Sequence, residues 1–256
     1  MTTLLAAALA TLVFCAPGYP GGAGDAQPLV SDFATAAAAA AGWPAGSLAA
    51  VYDPTEEGGV KKLESEDAVL AFVPYPFFVE HAAQLHLTAL VQADVADIGV
   101  QQRWTLVAKA GRVTSPQSLA GYTLLSTAGY APDFVRQRAL GSLALPPDVK
   151  IEPTGQILSA LRRVSAGEPV AVLLDQTQAA ALPSLPFSKE LTAVVQSPEL
   201  PVAMIVVVKS RLAAGRARAF QEALLKMGRA TGSAGAMEAL RLRGFVLPRL
   251  PTLNAR

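Results

Sequence analysis

Short apolar runs closed off by glycine, proline or charge recur along the chain, and they alternate with stretches whose apolar residues fall at helical spacing. The runs that read as buried strands are Thr11–Ala16, Leu48–Tyr52, Ala68–Val73, Leu87–Val91, Trp104–Ala108, Tyr122–Leu125, Val149–Glu152, Pro169–Leu174, Thr192–Val195 and Val202–Val208. Between them Ala26–Ala41, Pro76–Leu85, Pro132–Leu140 and Gln156–Ala166 read as helices, the first with Asp25 as its N-cap. Ser210 is placed to cap a longer helix in which Phe220, Leu224 and Met227 share one face, and Ala234–Leu242 closes the chain as a last helix. This alternation predicts an α/β protein with a largely parallel sheet covered by helices. The alanine run Ala34–Ala41 is explained by helix propensity alone.

Two extended apolar segments, Trp104–Ala108 and Val202–Val208, bracket an α/β unit and have further α/β units outside them. That order predicts a discontinuous architecture of two lobes joined by two crossing strands. Residues 11–106 and 203–256 form the first lobe, and residues 107–202 form an inserted second lobe. The cleft between two such lobes is where a ligand is expected.

Composition narrows the function. A net charge of +1 leaves no basic face for nucleic acid, and 52 % hydrophobic against 16 % charged residues excludes a disordered chain. One cysteine and two histidines, His81 and His86, leave little for a disulfide framework or a metal site, and no cofactor or metal is expected. The histidines do not share a helix face and read as core or solvated residues. Lys61-Lys62, Glu56-Glu57 and Glu64 to Asp67 read as a solvated face. The apolar stretch Leu4–Ala16 is too short to span a bilayer. Residues 1–10 read as a leader remnant, with Ala8-Leu9-Ala10 as a small-x-small cleavage site before the first strand. Cys15 follows an apolar run, as lipidated cysteines do, yet Phe14 stands where a small residue is required, so a buried strand thiol is expected.

Two loops carry candidate chemistry. Gly18 to Gly24 follows a strand and opens a helix, and Tyr19, Gly21 and Gly22 are its candidate ligand residues. Asp53 stands where a dinucleotide fold places its ribose acid, but Gln27 occupies the position of the third fingerprint glycine. The second loop, Ser126-Thr127-Ala128-Gly129-Tyr130-Ala131-Pro132, leaves a strand and enters a helix. Its hydroxyls and free N–H groups suit an oxyanion, and a capped turn without ligand fits equally well. Asp175 ends a strand and either faces the cleft or caps the helix Gln176–Ala181. Tyr19, Tyr75 and Tyr130 are candidate cleft walls. There is no Gly-x-Ser-x-Gly elbow, no Walker loop and no His-Glu-x-x-His.

The segment Ser126 to Tyr130 resembles the Ser-Thr-Ser-Gly-Tyr segment of the phosphate/phosphite/phosphonate-type substrate-binding proteins of ABC transporters. Thr114 to Gly121, Ala160–Gly167 with Ala171–Asp175, Ser197 to Pro201 and Val73–Val79 resemble further pieces of that family in the same order. The resemblance implies a two-lobed periplasmic-binding-protein-like fold of type II that closes by hinge motion on a small oxyanion or polar metabolite. It implies a monomer outside the cytoplasmic membrane, an ABC permease as partner, and no catalysis. Ser126, Thr127 and the backbone of Ala128 would hold the anion. Ala128 replaces a serine of the family, Thr154-Gly155-Gln156 stands where phosphonate binders have a histidine, and Tyr75 takes the place of a glycine. An enzyme or a sensory domain on the same fold is the alternative reading.

Overall fold

The computed structural model describes residues 10–18, 22–228 and 231–251. In chain order its elements are β1 (Ala10–Cys15), α1 (Ala23–Ala40), β2 (Leu48–Asp53), α2 (Glu56–Glu64), β3 (Ala68–Pro74), α3 (Tyr75–His81), β4 (Leu87–Val95) and β5 (Gln101–Gln102). There follow β6 (Thr105–Lys109), β7 (Thr123–Ser126), a π-helical turn at Phe134–Ala139, β8 (Lys150–Pro153), α4 (Ile157–Ala166), β9 (Val170–Leu174), α5 (Gln176–Ala181) and β10 (Leu191–Gln196). The chain then returns through β11 (Leu200–Pro201), β12 (Ala203–Val208), α6 (Ala214–Met227), α7 (Ala234–Ala239) and β13 (Leu242–Val246).

Two sheets result. The first has the order β13-β4-β12-β3-β1-β2, and the second β10-β6-β9-β7-β8. β1 runs parallel to β2 and β3, and β7 runs parallel to β8 and β9. The rest of each sheet is antiparallel, against the expectation of a largely parallel one. The chain enters β6 and β12 straight from the connecting segments, with no helical crossover to reverse it, so both strands run against their neighbours. Between the sheets lies a ribbon the sequence pattern does not reveal, β5 paired antiparallel with β11. Just beyond it the two passages are clamped. The Ser197 N–H donates to the Trp104 carbonyl at 2.8 Å, the Trp104 N–H donates to Ser197 Oγ at 2.9 Å, and that hydroxyl donates to the Pro198 carbonyl at 2.6 Å.

The ten expected strands all form, with ends shifted by a few residues. Helix starts differ more. α1 begins three residues earlier than Asp25 would allow as a cap. Gly22 is its N-cap without a side-chain bond, and Asp25 sits in the first turn, where the helix dipole favours an acid. Ser210 has a left-handed φ of 71° and does not cap α6, whose N-cap is Ala213. The last helix stops at Ala239, and Leu242–Val246 pairs with β4 as an edge strand. The charged stretch expected to be a solvated face contains α2. Its Lys62 pairs with Asp53, and its Glu56 stands 2.8 Å from the imidazole of the buried His81. Gly59 is demanded there, because a β-carbon would stand 1.7 Å from Cys15 Sγ. Cys15 is buried at the end of β1, and burial first and Asp53 second push its thiol up to about 12. Gln27 has a structural task of its own. It donates to the Ala50 carbonyl at 2.7 Å and accepts from the Tyr52 N–H at 3.0 Å, which closes the edge of β2.

The core is continuous across the two sheets. Val13, Val73 and Met204 of the first sheet, with Tyr75 and Phe77 of α3, pack in one cluster with Leu106, Leu124 and Leu173 of the second, Phe134 of the π-helical turn and Trp104 of the connection. A second cluster, built on Phe14, Phe33, Leu70, Ile205 and Phe220, lies under α1 and α6.

Removing the clamp hydroxyl tests the connection. Ser197→Ala leaves the Trp104 N–H buried without an acceptor, so urea denaturation should report a loss of about 1–3 kcal/mol. An unchanged midpoint would show that the clamp is dispensable.

Candidate functional site

The carboxyl ends of four strands converge on one region. Pro17 and Gly18 follow β1, Pro74 ends β3 with Pro76 two residues on, Thr127 and Ala128 follow β7, and Asp175 follows β9. All of these line a pocket of about 80 Å3, together with Trp104, Tyr130 and Gln178. It opens beside a larger cleft of about 750 Å3 lined by Gly18, Thr127, Gly155, Gln156, Ile157, Leu158, Ser159, Arg162 and Gln178. Gly18, Thr127 and Gln178 border both. Ligands in open α/β sheets bind outside the carboxyl ends of strands, and here two sheets point those ends at each other.

Each lining group has a local cause. Gly18 has φ 83°, and a β-carbon on it would stand 2.4 Å from the Thr127 carbonyl oxygen, so only glycine lets the two backbones come this close. Ser126 is fully buried. Its hydroxyl donates to the Leu173 carbonyl at 2.8 Å and accepts from the Ala128 N–H at 3.1 Å. Having donated its proton to β9, it holds the turn that presents its neighbour. Thr127 is half-buried, and its hydroxyl has no partner among the described residues. Asp175 does both of the things its position allows. It caps α5 by accepting from the Gln178 N–H at 2.8 Å, Gln178 Oε1 accepts from the Asp175 N–H in return, and the residue lines the pocket. Burial pushes its carboxyl above the usual range, and its bonds with the backbone N–H groups of Gln178 and Thr177 only partly offset this.

The expected residues therefore separate. Thr127, Ala128, Tyr130 and Asp175 come together in the smaller pocket, and Gln156 lies in the larger cleft at the start of α4. Gly129 is buried against β8 and lines neither. Tyr75 is also elsewhere. It is 2 % exposed, packed on Phe78 and Phe134, and leaves the wall to Pro74 and Pro76. Gly22 caps α1 outside both cavities, and Tyr19 and Gly21 lie outside the described residues. Asp53 is bound to Thr55 and Lys62, so the ribose-acid alternative has no free carboxylate. Sequence reasoning missed Trp104, Gln178 and Arg162. Trp104 was legible only as a strand residue, and Arg162 only as one of a helix pair.

No protein-family model and no curated protein matches the chain in sequence. Its shape does match solved structures. A Xanthomonas citri protein bound to ATP superposes with a TM-score of 0.69 at 14 % identity, over 95 % of this chain and 92 % of that one. The binding-protein component of an ABC phosphonate transporter from Pseudomonas aeruginosa gives 0.61 at 12 % identity, over 94 % and 82 %. PhnD1 from Prochlorococcus marinus in complex with methylphosphonate gives 0.59 at 13 % identity, over 93 % and 92 %. The fold is that of a type II periplasmic binding protein. No helix among the described residues is long and apolar enough to cross a membrane.

The half-buried acid Asp175 gives a pH signature. The folded state holds the Asp175 proton more tightly than the unfolded chain does. Stability from this group is therefore full below the ordinary carboxylate value of about 3.9 and is lost as pH rises through that value towards the raised folded one. Asp175→Asn keeps a good cap and removes the titration. Between about pH 3.5 and pH 7 its melting temperature relative to the parent should therefore rise with pH. A constant difference would exclude Asp175 as the source.

Proposed function

We propose that this protein is a solute-binding protein. It captures a small oxyanion of the phosphate or phosphonate kind, or a comparably small polar metabolite, between its lobes and delivers it to an ABC permease outside the cytoplasmic membrane. The observation that carries the reading is the convergence of four strand ends from two sheets on one pocket and cleft. The chemistry of the cleft supports an anionic solute. α4 begins there, and its first-turn N–H groups and positive dipole end face the same space as Gly155 and Gln156. Arg162 follows on the same helix and has no ion-pair partner among the described residues. Thr127 supplies a hydroxyl from β7.

In this reading Ser126 and Thr127 divide the work. Ser126 fixes the turn, Thr127 touches the solute, and Asp175 sets the polarity of the inner end. Binding shifts the lobes towards the closed arrangement to the extent that the solute prefers it. The protein acts as a monomer, and the permease reads the closed form.

A thermal-shift series of the purified protein against phosphate, phosphite, methylphosphonate, sulfate and small carboxylates tests this. A solute at 100 times its Kd adds about 2.7 kcal/mol, a shift of several degrees. Thr127→Val should then weaken that solute by about 1.5–3 kcal/mol, the value of a hydrogen bond to a charged group. Ser126→Ala should lower the melting temperature of the free protein. Thr127→Val with unaltered affinity would remove the proposed contact, and no shift with any probe would count against the oxyanion.

A further inference from the structure

Trp104 is 4 % exposed, lines the smaller pocket, and carries an indole Nε1–H with no hydrogen-bond partner among the described residues. Buried donors are almost always paired, and a tryptophan N–H has only one way to be satisfied, by accepting nothing and donating once. Phe134 stands edge to face with the ring at 5.3 Å. The backbone of Trp104 cannot drift to find an acceptor, because both its N–H and its carbonyl are bonded to Ser197. A donor without a partner among the described residues is thus held on a residue that lines the same pocket as Asp175 and Thr127.

We infer that Trp104 Nε1–H is the donor for the inner end of the bound solute. This rests on the solute-binding reading above and adds to it a specificity-determining residue on the segment that connects the lobes. At about 80 Å3 the pocket takes an end group of roughly two or three non-hydrogen atoms, taking about 30 Å3 for a water-sized volume. That group must offer a lone pair to the indole. An apolar end would leave the N–H unpaired, so the pocket selects against alkyl-ended analogues. The ring is continuous with the clamp, so a bond made here acts directly on the passage about which the lobes turn.

The test uses the full chain, with phosphate, methylphosphonate, L-glutamine and L-arginine as probes in calorimetric titration. Trp104→Phe keeps the packing against Phe134 and deletes the donor. It should weaken the bound probe about tenfold or more, whereas Trp43→Phe, remote from the pocket, should bind as the parent does. A parent that binds a probe, loses affinity on Thr127→Val and keeps it within about twofold on Trp104→Phe overturns this inference and leaves the solute-binding reading standing. A parent that binds none of the probes overturns both. Should Trp104→Phe fail to fold, the parent labelled with 15N-tryptophan decides. Its two indole resonances are assigned with Trp43→Phe, and the Trp104 proton should move downfield on saturation. A resonance that stays fixed while the probe binds overturns the inference.

Discussion

The ring of Phe134 is the contact on which the arrangement of the two lobes depends. It meets Tyr75 of the first lobe at 5.9 Å and Trp104 of the connection at 5.3 Å, edge to face in both cases, and all three are almost wholly buried. Burying an aromatic side chain of this size contributes about 1.5–3 kcal/mol, and edge-to-face pairs add about 0.5–1.5 kcal/mol each. The two sheets therefore share a core behind the pocket. Glu80, accepting from the Asp133 N–H at 3.0 Å beside this cluster, adds a polar tie between the same two elements.

Around the pocket most polar side chains are committed to the frame. Ser126 joins β7 to β9, Asp175 and Gln178 cap α5 reciprocally, and Ser197 clamps the passage to Trp104. A buried group without a partner costs about 1–3 kcal/mol, so these bonds are what permits polar residues at the floor of a cleft at all. The Thr127 hydroxyl, the Trp104 Nε1–H and the Arg162 guanidinium are among the groups there without a partner among the described residues, and in the proposed function they are the ones offered to the solute. In the turn, Ser126 is consumed in holding the backbone that carries Thr127.

The sequence pattern gives the strands because each is an apolar run of the right length between breakers, and such runs have few alternatives. It fails where local and tertiary demands conflict. α2 is hidden by Gly58 and Gly59, poor helix residues, and Gly59 is retained because Cys15 leaves no space for a β-carbon. The ribbon of β5 and β11 has two residues a side, too few to form a pattern. The Ser126 to Tyr130 loop was legible from its residue types and its place between strand and helix. Tyr75 was not, because at the junction of β3 and α3 a side chain turns either to the cleft or to the core, and Phe78 and Phe134 provide a better-filled site. Trp104 was illegible for a related reason. Nothing local tells a core tryptophan from one whose N–H lacks a partner.

The two lobes also meet in front of the pocket, and there the contact is of a different kind. Gly18 lies against the Thr127 carbonyl without a hydrogen bond between them, a contact of bare backbones that contributes a few dispersion pairs at about 0.1–0.2 kcal/mol each. Behind the pocket Phe134, Tyr75 and Trp104 hold the lobes with an order of magnitude more. In the proposed function, a strong contact at the back and a weaker one at the front would make the front the side that parts first on opening. The pocket and the larger cleft lie on the weak side, joined at Gly18 and Thr127 themselves. In the proposed function, a solute that bridges Thr127 to the first lobe would strengthen the weak side selectively, and that difference between open and closed forms is what would shift the population on binding.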